Sequence, residues 1–275
     1  MIAQASPVAT TPDPKPPRTI EELTRTVSSS RLNLFHQCRL KFYFRYVLGL
    51  VKPKTPALHI GTTVHATLQA WNLARWRKTP WDMESLNGVF EAKWLEEQKD
   101  HKIAWDDDEV EERQRSWALL ETYFQQTPIP PDEKPEGVEV SVEADLKNHG
   151  LPALVGIIDL VRQGGQIVDF KTSAQTPNAE KAVHLNETQL SCYAVLYRDA
   201  TGQKEGGIEL HHLVKLKTPK LVVTSAAPIT QTQQSRLFRL IESYVRGVEA
   251  QDWVPNPNPM SCACCEYFNE CRKWS

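Results

Sequence analysis

The hydrophobic period of this chain changes once, and that change constrains the fold more than any other feature. Ahead of Pro128, Pro130 and Pro131 the apolar spacing is helical. Ser28-Ser29-Ser30 supply N-caps before Leu32 and Phe35, and a second helix starts near Gly61 with Val64, Leu68 and Trp71 on one face. Two more helices are expected over about 84–100 and 108–126. From Val138 the period becomes two: Val138, Val140 and Val142 alternate with Glu139, Ser141 and Glu143. Further strands are expected over about 153–162, 166–172, 207–216 and 221–224, with helices at about 187–199 and 230–250. Helices, a compact sheet and helices again make the class α/β or α+β with an antiparallel centre.

Composition narrows the function. The 275 residues suit one large domain or two small ones. The formal net charge is −2, which excludes a generally polybasic protein, so nucleic-acid binding needs a local basic patch. No apolar run approaches the ~18 residues of a membrane span. The first residues, MIAQASPVATTPDPKPP, lack the basic and apolar regions of a secretory signal, so a cytoplasmic location is expected. Five prolines within residues 1–27 mark an expected disordered leader.

GIIDLVRQGGQIVDFKTS carries the densest chemistry. Asp169 and Lys171 share a strand face because side chains alternate. Where Asp159 points depends on the turn. A two-residue loop at Gly164-Gly165 puts the two aspartates on opposite faces. A three-residue loop, Gln163 to Gly165, pairs Arg162 with Gln166 and sets Asp159 opposite Asp169. The odd loop is expected, since Gly165 suits its left-handed position. Carboxylates so placed are mutually repulsive unless a cation compensates, and oxygen ligands favour Mg²⁺ or Mn²⁺. Lys171 beside them can orient a water or stabilise developing negative charge. Glu143, on the neighbouring strand, reads equally as a helper of that site and as an exposed position. Gln189 and Tyr193, four apart, share a helical face that could lean over the site and meet DNA.

Two other stretches stand out. Cys262, Cys264, Cys265 and Cys271 crowd the last residues, which points to metal binding or redox chemistry in a cytosolic chain of this size. Spacing alone does not separate iron–sulfur from zinc. Residues 31–54 hold Arg31, Arg39, Lys41, Arg45, Lys52 and Lys54 with interleaved aromatics and no acid, a pattern suited to single-stranded DNA.

The ordered set of motifs resembles the RecB-type nucleases of the PD-(D/E)XK superfamily, in the iron–sulfur branch with AddB-like and CRISPR-associated exonucleases. SSSRLNLFHQCRLKFYFRYVLGL is similar to the family's opening helix, GTTVHATLQ to its histidine motif at His65, GIID to G-x-x-D at Asp159 and VDFKT to D-x-K at Asp169 and Lys171. QLSCY matches Q-x-x-x-Y at Gln189 and Tyr193, and CACCEYFNEC matches C-x-x-C-x-x-x-x-x-C. The chain departs from the pattern at Arg39, where proline is frequent, and in its extra thiol Cys264.

The resemblance implies a restriction-endonuclease-like core, with a mixed sheet flanked by helices. It implies one nuclease domain over 28–275, with a helical insertion at 80–130 and a cysteine tail at 255–275. His65, Asp159 and Asp169 would hold Mg²⁺ or Mn²⁺, and Cys38, Cys262, Cys265 and Cys271 a 4Fe–4S cluster, zinc being the alternative. The implied activity is an exonuclease on single-stranded DNA ends, serving repair, recombination or CRISPR adaptation. The rival is a non-catalytic DNA-binding or scaffolding subunit. No G-x-x-x-x-G-K-[ST] is present, so a motor would belong to a helicase or CRISPR integration partner. No membrane partner is expected.

Overall fold

The computed structural model describes residues 16–79, 81–100, 103, 105 and 108–274. In chain order the elements are α1 (Ile20–Arg25), β1 (Thr26–Val27), α2 (Ser29–Gln37), α3 (Arg39–Phe42), a π-helical turn (Tyr43–Val47), α4 (Pro56–Trp76), α5 (Met83–Asp100) and α6 (Glu109–Gln126). There follow β2 (Gly137–Ala144), β3 (Ala153–Arg162), β4 (Gln166–Ser173), α7 (Ala179–Leu185), α8 (Glu187–Thr201), β5 (Gly207–Val214), β6 (Lys220–Ala226), α9 (Gln231–Glu249), α10 (Pro259–Ala263) and α11 (Phe268–Cys271).

One mixed sheet runs β1-β3-β4-β5-β6, with β2 antiparallel to β3. The β3–β4 and β5–β6 pairs are antiparallel; β1–β3 and β4–β5 are parallel. Each sheet face is buried by helices. On one face Leu154, Ile158, Ile167, Ile208 and Leu210 pack with residues of α1, α2, α8, α9 and the tail. On the other, Leu160, Val168, Phe170 and Leu213 pack against α4, α5 and α6. This is the helix-flanked mixed sheet that the motifs imply.

The chain becomes regular earlier than the prolines suggest. Residues 20–27, expected within the disordered leader, form α1 and β1. A reciprocal cap between Thr19 and Glu22 starts the helix, and Leu23 and Val27 are fully buried. A one-turn helix and a two-residue strand are too short to show a period. The part of that leader before residue 16 lies outside the described residues.

The hairpin has the odd loop. Arg162 pairs with Gln166, Val161 with Ile167 and Leu160 with Val168, so Asp159 falls across from Asp169. Gly164 and Gly165 take φ of 74° and 70°, a conformation that costs other residues strain. Beyond Leu160 the two strands part. β3 turns to pair with β1 at Ala153 and Leu154, whereas β4 stays with β5 to Ser173. The gap between them is where the acidic residues sit.

Candidate active site

Three elements meet at the gap. α4, capped by Thr55 with Pro56 at its first position, carries His65 about two turns in. The helix turns Ile60, Val64 and Leu68 into the core and leaves His65 half-buried at its edge. The Nδ1 of His65 lies 3.7 Å from Oδ2 of Asp159. That oxygen also accepts the Phe170 backbone N–H at 3.0 Å, occupying a donor that the parting strands leave free. Glu139 of β2 stands across from Asp159 on the other side of β3. Ligand atoms of His65, Glu139 and Asp159 all lie within 4.8 Å of one another.

Glu139 has φ of 49° inside a strand, a conformation costing roughly 1–3 kcal/mol in a residue with a side chain. The strands change face there together. Val138 and Leu160 pack in one core cluster, whereas Val142, Ala144 and Ile158, at positions of the same parity, pack in the other. Glu139 is the functional residue that sequence reasoning missed; Glu143, weighed in its place, is exposed beside Val155.

The electrostatics show a cluster short of positive charge. Burial pushes the Asp159 carboxyl up to about 6; His65 opposes that rise and Asp169 adds to it. Burial, then the Asp159 charge, pushes Glu139 up to about 8. Both folded values exceed the ordinary carboxylate values of ~4. The stability these groups contribute is therefore full below about pH 4 and lost as pH rises through about 6 and about 8. Metal-free protein is expected to have a lower urea midpoint at pH 8.5 than at pH 6.5. Saturating Mg²⁺ should flatten that slope, and an unchanged slope would contradict the origin assigned to it.

Asp169 is 1% exposed and organises the second half of the site. Its Oδ1 accepts from Lys171 Nζ at 3.3 Å, Gln189 Nε2 at 3.0 Å and the Tyr193 hydroxyl at 3.3 Å. The Lys171 ammonium is 3.0 Å from Oδ2 and donates to Gln189 Oε1 at 2.6 Å. Gln189 also donates to the Tyr193 oxygen at 2.7 Å. Gly156 of β3 lets α8 approach, since a Cβ there would lie 2.7 Å from Leu196 Cδ1.

The expected role of Gln189 and Tyr193 changes accordingly. Tyr193 is buried and turned onto Asp169, so it positions that carboxylate and does not reach over the site to DNA. Gln189 likewise ties Lys171 to Asp169. Truncating such outer partners typically costs about 10–100-fold. Gln189→Ala is expected to lower cleavage in that range, while Tyr193→Phe, losing one weak bond, should cost less. Steady-state rates on a labelled strand test both.

The cysteines converge. Burial, then the neighbouring Cys38, Cys265 and Cys262 thiols, raise the Cys271 pKa, so these four share one locality. Cys264 is exposed and its Sγ approaches the Met260 carbonyl at 3.9 Å. Cys192 is buried, as expected of a core thiol, and its pKa is pushed up to about 12.

The basic stretch does not form the expected DNA-binding face. Arg31 is 4% exposed and donates to Thr26 Oγ1 at 2.9 Å. Arg39 pairs with Asp252, and Lys41 with Glu266 at 2.8 Å. Lys52 meets Glu270 at 2.6 Å, and Lys54 pairs with Glu97 in a buried position. These cations are neutralised by distant acids, three of them in the C-terminal segment. Of the four residues expected to bind DNA, Arg45 alone is exposed, its guanidinium 5.8 Å from the Tyr46 ring centre.

The sequence profile of the PD-(D/E)XK nuclease superfamily matches residues 26–272. The chain belongs to that superfamily. No curated protein sequence matches it. The fold is similar to the crystal structure of a "putative exonuclease" from Eubacterium rectale, with a TM-score of 0.64 at 13% identity, over 94% of this chain and 91% of that one. For a PD-(D/E)XK nuclease the donor set fits a divalent cation: an imidazole and carboxylates converge, and the buried Asp169 Oδ2 across from Asp159 has no hydrogen-bond partner. Among the described residues no helix is long and apolar enough to cross a membrane.

Proposed function

We propose that this PD-(D/E)XK nuclease is a Mg²⁺- or Mn²⁺-dependent exonuclease of the RecB type, hydrolysing single-stranded DNA from its ends. The observation that carries the reading is the hairpin register. It sets Asp159 across from Asp169 beside a lysine 3.0 Å from the second carboxylate, with His65 3.7 Å from the first. A divalent ion bound there would supply Lewis acidity toward a phosphate oxygen and lower the pKa of water. His65 and Asp159 hold that ion, with Asp169 facing it. Asp169 and Gln189 fix the Lys171 ammonium, which orients the attacking water and stabilises charge developing on the phosphate. Water adds to phosphorus as the bond to the 3′ oxygen breaks, leaving a 5′-phosphate.

A labelled linear strand should be degraded with Mn²⁺, whereas a covalently closed circular strand should resist. Equal cleavage of both would replace the exonuclease reading with an endonuclease. Convergence of Cys38, Cys262, Cys265 and Cys271 supports a 4Fe–4S cluster that staples α3 to the tail. Anaerobically purified protein is expected to be brown and to contain iron; a colourless, zinc-loaded preparation would overturn the cluster. A helicase or CRISPR integration partner would deliver the strand.

A further inference from the structure

We propose that Glu139 is a direct ligand of the divalent ion, forming with His65 and Asp159 a site that binds the ion without Asp169. The proposal rests on the metal-dependent reading above and goes beyond the His65, Asp159 and Asp169 set that the motifs imply.

Four observations carry it. Ligand atoms of His65, Glu139 and Asp159 lie within 4.8 Å of one another, which suits donors around one ion with bonds of about 2.0–2.6 Å. Asp169 does not belong to that group. One of its oxygens already accepts three donors, and its second faces the Lys171 ammonium without a hydrogen bond. Asp169 is thus committed to holding Lys171.

Glu139 itself lacks a counter-charge. Among the described residues no ion pair or hydrogen bond engages its carboxylate, although it is half-buried beside Asp159. Finally, its backbone is unusual in place as well as angle. The other described positive-φ residues with side chains, Lys78 and Gln251, follow the ends of α4 and α9, where left-handed residues are common. Glu139 takes φ of 49° in the middle of a strand, at the rung where β2 and β3 change face. That distortion belongs to the position which brings its side chain to His65 and Asp159.

Mn²⁺ binding to the full-length protein, measured by calorimetry and by loss of the free Mn²⁺ electron paramagnetic resonance signal, tests this directly. Glu139→Gln is expected to weaken binding by more than about tenfold, whereas Asp169→Asn should change it by less than about threefold. Glu139→Gly relieves both the left-handed backbone and the carboxylate repulsion. Without metal it is expected to melt above wild type, and it should lose the Mn²⁺-induced rise in melting temperature.

Wild-type affinity in Glu139→Gln, or a larger loss in Asp169→Asn than in Glu139→Gln, would overturn the ligand assignment while leaving the nuclease reading intact. Absence of Mn²⁺ binding by wild type would defeat both.

Discussion

Asp169→Asn is expected to lower Mn²⁺-dependent cleavage of single-stranded DNA by about a thousandfold or more, with the fold unchanged. The substitution keeps the volume of a side chain that is 1% exposed, so packing survives. It removes the charge that holds Lys171 and offers an amide where Lys171, Gln189 and Tyr193 all donate. Losing one well-placed donor to a developing oxyanion costs about 10²–10³. Asp169→Asn disorganises Lys171 and removes the anion facing the metal, so its effect should be at least as large. Lys171→Ala is expected to cost about 10²–10³ for the same reason. Initial rates and thermal melts of both variants test this. Normal cleavage by both would remove the hairpin from the chemistry.

Cys265→Ser and Cys271→Ser should strip the bound metal from the tail and destabilise the whole domain. Cys38 lies between α2 and α3, so a cluster at these thiols links the start of the chain to its end. The same interface holds the Tyr267 hydroxyl bond to the Leu50 carbonyl at 2.7 Å and the pairs of Lys41 and Lys52 with Glu266 and Glu270. Exposed ion pairs of this kind contribute little individually. Metal binding to a site absent from the unfolded chain contributes directly to folding, on the order of several kcal/mol. Cys264→Ser is the matched control: its thiol is exposed and is not among those that raise Cys271. Iron content, visible absorption and melting temperature should fall together in the first two variants and stay unchanged in the control. Equal loss in Cys264→Ser would reassign the ligands.

The parts of this site legible in the sequence are those set by local rules. The hairpin register follows from an odd loop and a glycine able to take a left-handed turn, and it places Asp159 across from Asp169 as expected. Gln189 and Tyr193 share a helix face because they are four residues apart, and both meet Asp169. Other features depend on distant contacts. Nothing near Arg39 or Lys41 announces Asp252 or Glu266, so their charges read as free when they are paired. Glu139 reads as the polar half of an alternating strand; its left-handed backbone, which breaks that alternation, leaves no mark on composition. β1 is two residues long, below any period, and is held by pairing with Ala153 and Leu154.

The most direct test of the account is turnover of a 5′-labelled single strand by wild-type protein with Mn²⁺, followed with and without chelator. The account predicts progressive shortening to products bearing 5′-phosphates, stopped by chelation and lost in Asp169→Asn. Tight binding of the strand with no cleavage under any divalent metal would contradict it and make the chain a scaffold.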